Sequence, residues 1–90
     1  MNRAQKRDEF IENLEKFRNT QGLSGTKFAG VLGVKQAQWD RWKQGRVGIT
    51  LKNMRKLVEC LNQYYGYSWK LADWLGDIDN LLSNIYKEGI

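Results

Sequence analysis

Glycine recurs where stretches of helical periodicity run out, at Gly22, Gly33, Gly45 and Gly66, and the ninety residues contain no proline. That rhythm restricts the chain to short helices joined by turns in which glycine supplies a left-handed cap or a sharp reversal. The scarcity of β-branched runs points the same way. In the first segment Phe10, Ile11, Leu14 and Phe17 recur at helical spacing among charged residues, predicting an amphipathic helix that ends near Gln21-Gly22. Ser24 is placed to cap a short second helix that turns Phe28, Ala29 and Leu32 inward. A third helix is expected from Lys35 to Gln44, with Trp39 and Trp42 on one side, and a loop follows Gly45. Thr50 then caps a fourth helix whose apolar stripe is Leu51, Met54, Leu57, Val58 and Leu61.

Beyond a Tyr-Gly turn at residues 63–67, Ser68 is expected to cap a further helix through Leu75. Gly76-Asp77 then either kinks it or separates a last helix presenting Ile78, Leu81, Leu82 and Ile85. No linker, low-complexity tract or repeat divides the chain. The expectation is one all-α domain over residues 1–90, a compact bundle of five to six helices with its core in 8–62 and a C-terminal segment at 63–90.

A domain of this size buries only about two-thirds of its unfolded surface, enough for one core but not for a core plus a large enclosed substrate cavity. With no His and one Cys, the sequence has no imidazole base, no Cys/His zinc set, no Ser/His/Asp triad and no internal disulfide. The reading is therefore of a protein that is not an enzyme and takes no cofactor or metal. Met1 to Glu15 holds Arg3, Lys6 and Arg7 with four acids and no apolar run behind them, unlike a secretory signal. No stretch approaches the ~18–20 apolar residues of a membrane span, and an unpaired Cys60 suits a reducing cytoplasm.

Charge is distributed unevenly. Residues 1–15 carry three bases against four acids, residues 16–58 carry ten bases against Asp40 alone, and residues 59–90 carry two bases against five acids. The formal +5 of the whole chain is thus a +9 block between slightly acidic ends, a distribution expected of a polyanion-binding face.

That block contains two short helices joined by a glycine turn, the second polar on one face and apolar on the other, which is the helix-turn-helix arrangement. Ala29 is small enough for close packing, Gly33 can turn the chain sharply, and Val34 and Trp39 lock the third helix to the core. The run Leu23-Ser24, Phe28-Ala29, Leu32-Gly33-Val34, Gln36, Trp39, Trp42, Gly45, Thr50, Asn53, Leu57 and Leu61 resembles the lambda repressor/Cro-like helix-turn-helix family, also called the xenobiotic response element family, over residues 8–62. The resemblance implies a DNA-binding bundle whose third helix enters the major groove, usually in a two-fold dimer. It places Gln36, Ala37 and Arg41 where the family's base-contacting side chains sit, with Lys35 and Gln38 at neighbouring positions that touch bases or phosphates. The chemistry agrees: Gln pairs bidentately with adenine, Arg with guanine, and an Ala methyl meets the thymine methyl.

Three positions depart from the family pattern. Gly25 stands where many members carry a phosphate-touching Gln, which shifts that role to Ser24, Thr26 or Lys27. Lys43 stands where Glu is frequent. Lys35 replaces the usual Ser/Thr cap of the third helix. Asp40, the one acid of the block, could read cytosine, exclude other bases by repulsion, or pair locally with Lys43 or Lys27. Trp39 and Trp42, three residues apart, read as core rather than as stacking groups.

Phosphate contacts are expected from Ser24, Thr26, Lys27, Lys35, Lys43, Arg46 and Lys52, with Arg55, Lys56 and the backbone of the 45–50 loop in support. In the acidic, aromatic tail, either Trp69, Leu71, Trp74 and Leu75 complete the core, or Trp74, Leu75, Ile78, Leu81, Leu82, Ile85 and Tyr86 form a self-complementary dimer patch. The functional expectation is a sequence-specific, double-stranded DNA-binding regulator, a small cytoplasmic repressor of phage, plasmid or mobile-element type acting as a homodimer on an inverted repeat. The alternatives are the antitoxin of a toxin-antitoxin pair, whose tail covers a protein partner, and a basic protein-interaction module.

Overall fold

The computed structural model describes residues 3–45, 48–79 and 81–83. Regular structure among them is entirely helical: α1 (Arg3–Gln21), α2 (Gly25–Leu32), α3 (Gln36–Lys43) and α4 (Leu51–Tyr65), followed by a 3₁₀ turn at Leu71–Trp74 and by helical residues at 79 and 81–83, where the sequence expected a last helix past Gly76-Asp77. The glycine stops act as the sequence implies. Gly33 takes φ 73° and closes α2, while the Val34 N–H donates back to the Ala29 carbonyl at 3.0 Å, satisfying carbonyls the helix would otherwise leave open. Ser24 Oγ accepts from the Lys27 N–H at 3.1 Å and Thr50 Oγ1 accepts from the Asn53 N–H at 3.1 Å, so both expected caps form. Lys35 offers no side-chain cap to α3.

The helices converge on an aromatic file. Trp39 of α3 meets Phe28 of α2 edge-on at 5.2 Å, Phe28 meets Phe17 of α1 at 6.2 Å, and Phe17 meets Trp74 edge-on at 5.3 Å. All four side chains are fully buried, and edge-to-face pairs add ~0.5–1.5 kcal/mol each beyond area burial. The α2–α3 pair is therefore seated on the same core as the tail. Met54, Leu57, Val58 and Leu61 complete it from α4. Leu51 does not: it is 51% exposed, because it follows the Thr50 cap directly and the stripe begins one turn later.

The tail departs furthest from expectation. Ser68 caps no helix, and residues 67–70 hold no regular structure. Asn62 explains why: its Nδ2 donates to the Trp69 carbonyl at 2.7 Å and its Oδ1 accepts from the Trp69 N–H at 3.1 Å. A side chain thus satisfies the backbone groups that a helix would have paired. Asn13, only 3% exposed on the apolar face of α1, makes the second anchorage by donating to the carbonyls of Trp74 at 2.8 Å and Gly76 at 2.9 Å.

Drawn in this way, Trp74, Ile78 and Leu81 are buried in the protomer's own core, which corrects their assignment to a dimer patch. Leu75 and Leu82 are half-buried and packed against that core. Ile85 and Tyr86 lie outside the described residues.

Candidate nucleic-acid interface

With Trp39 and Trp42 turned inward, the 100° step of an α-helix fixes what α3 turns outward. Ala37, Arg41 and the C-cap Gln44 are exposed and project opposite the two indoles. Gln36 is also exposed, on the edge nearer α2, and Asp40 is half-buried between Gln36 and Ala37 on the helix surface. Gln38 falls on the other flank and is half-buried, so it is the least available of the four expected base-contacting residues. Gln44 was missed by sequence reasoning, although its spacing of seven from Ala37 was the available signal.

The start of α3 is tied to the start of α2. Thr26 Oγ1 donates to Gln36 Oε1 at 2.6 Å, with both residues exposed. Each had been assigned a separate contact, one to phosphate and one to a base, and the fold makes them a pair. The amide nitrogen of Gln36 and a second lone pair on Oε1 remain for a ligand.

The other end of α3 is tied to α1. Lys43 Nζ lies 3.9 Å from Glu15 Oε1 and 4.0 Å from Asp40 Oδ1, and the Arg18 guanidinium holds both Glu15 oxygens at 2.9 and 3.0 Å. The hydrogen bond from Arg18 keeps the Glu15 carboxyl below its ordinary pKa against the opposing effect of burial, and the charge of Lys43 adds to the lowering. Lys43 therefore serves the α1–α3 junction as well as its outward face. The local Asp40–Lys43 pairing considered from the sequence is present. Arg18 also donates to the Leu23 carbonyl at 2.6 Å, fixing the turn between α1 and α2.

Ser24, Thr26, Lys27, Lys35 and Lys52 are exposed, as are Arg55 and Lys56. Arg46 lies outside the described residues. The arrangement is a helix face presenting the amides of Gln36 and Gln44, one methyl and one guanidinium, flanked by cations that have no fixed carboxylate of their own among the ion pairs of the described residues. Among the described residues no helix is long and apolar enough to cross a membrane. Comparison with protein-family models, curated proteins and solved structures finds no match to this chain.

Proposed function

We propose that this chain is a sequence-specific, double-stranded DNA-binding protein, a small transcriptional regulator of repressor type that inserts α3 into the major groove and acts as two copies on an inverted repeat. The observation that supports this most is the α2–α3 junction, where a left-handed Gly33 and the Thr26–Gln36 hydrogen bond hold an exposed polar helix face against a fully packed apolar one. A face meant only for solvent has no need of a side-chain tie that restrains its leading glutamine. In the proposed role that tie pre-orients the amide for an adenine edge, and Arg41 reads guanine one turn on. Lys27, Lys35 and Lys52 then position the duplex through phosphates.

Selection of bound duplexes from a random pool tests the reading. The expected result is an enriched inverted repeat with half-sites about 34 Å apart. With five or six phosphates neutralised per protomer, log K should fall with log salt at a slope of about −5 per protomer. Failure to bind any duplex at physiological salt overturns the proposal. A stoichiometric complex with an acidic protein in place of DNA would favour a protein-interaction module.

A further inference from the structure

A second cationic element reaches the residues that lead into α4 from a segment whose net charge gives no hint of it. Arg7, in the acidic first segment, lays its guanidinium on the backbone of Gly48. A methyl group at residue 48 would lie 2.7 Å from Arg7 Nη1 and 3.3 Å from Cζ, so the guanidinium would have to shift to admit it. The two residues face an open cleft of about 290 Å³ lined also by Asp8, Ile11, Trp42, Gly45 and Ile49. This cleft adjoins the N-terminus of α4, where Thr50 caps the helix and where the fifteen-residue helix presents the positive end of its dipole. Arg7 is in none of the ion pairs among the described residues.

We propose that Arg7, seated by Gly48, is a phosphate ligand that clamps a phosphodiester of the duplex at the cleft between α1 and the start of α4. The inference rests on the DNA-binding reading and deepens it, extending the interface from the helix-turn-helix to the first helix. Asp8 lines the same cleft and opposes an anion there. The two neighbours therefore act with opposite sign, Arg7 strengthening the contact and Asp8 moderating it.

The test measures duplex affinity by fluorescence anisotropy across a salt series for wild type, Arg7→Gln, Gly48→Ala, Asp8→Asn and the charge-matched control Lys70→Gln, with circular dichroism confirming the fold. Only the far end of a flexible side chain meets a methyl at residue 48, so Gly48→Ala displaces the guanidinium without removing its charge. Arg7→Gln and Gly48→Ala should each flatten the slope of log K against log salt by about 0.9 and weaken binding about eightfold at 0.1 M salt. Asp8→Asn should tighten binding, and Lys70→Gln should leave the slope unchanged. Should wild type bind duplex while Arg7→Gln keeps the wild-type slope, the clamp is overturned and the DNA-binding reading stands. A wild type that binds no duplex overturns both. Saturable binding of a mononucleotide without duplex binding, lost in Arg7→Gln, would assign the cleft to a free phosphate compound and also overturn the clamp.

Discussion

The indole of Trp39 lies fully out of solvent, edge-on to Phe28 at 5.2 Å, with its N–H buried and facing no acceptor among the described residues. The ring stabilises the core while the donor opposes burial, since an unpaired buried N–H costs about 1–3 kcal/mol. Trp39→Phe keeps most of the ring and removes the donor, so its Tm should stay within a few degrees of wild type. Trp39→Ala should lose about 3–5 kcal/mol. Thermal unfolding followed by circular dichroism separates the two, and equal losses would show that the indole donor is satisfied in solution. Glu15 gives a pH-dependent counterpart. Its folded pKa is depressed by the Arg18 hydrogen bond, so the stabilisation is whole above the unfolded value of about 4.3 and is lost as pH falls through the lower folded value. Glu15→Gln should be less stable than wild type at pH 7 by about 1 kcal/mol, the modest figure suited to a partly exposed pair. The difference should shrink steadily in urea titrations below about pH 4.

At the scale of the element, α2 and α3 were legible because their signals are local: a Ser cap, a glycine stop and two tryptophans at a spacing of three. The expected third helix, 35–44, differs from Gln36–Lys43 by a residue at each end. The Thr26–Gln36 bond was not legible, since ten residues separate the partners and only the completed turn brings them together. The Glu15–Lys43 contact is of the same kind, a long-range pair that neither helix announces alone. If α3 reads bases while α2 touches phosphate, two substitutions of equal charge should behave differently. Arg41→Ala should lower affinity for the selected duplex by about 1–3 kcal/mol while sparing scrambled DNA. Lys27→Ala should weaken both to the same degree. Electrophoretic shifts with the two duplexes measure this, and equal losses for Arg41→Ala would remove it from base reading.

Taken whole, the molecule is a helical bundle strapped by its own tail. Sequence reasoning left Trp74 between the core and a partner and gave Ile78 and Leu81 to a partner, because apolar periodicity does not say which surface it covers. The missed signal was Asn13, a polar residue among Phe10, Leu14 and Phe17 on a buried face, which in a packed core implies a fixed set of acceptors. Removing it leaves the carbonyls of Trp74 and Gly76 without their donor. Asn13→Ala should therefore cost about 2–3 kcal/mol and raise amide hydrogen exchange over residues 71–82 more than within α2 and α3.

Both asparagines grip the tail by main-chain atoms: Asn62 takes the N–H and carbonyl of Trp69, and Asn13 takes two carbonyls further on. Every amino acid except proline carries those same atoms. The strap therefore holds whatever side chains stand at its exposed positions Ser68, Lys70 and Ala72. The strap's own surface can drift in sequence, or acquire new recognition, while the helix face on the other elements keeps its geometry.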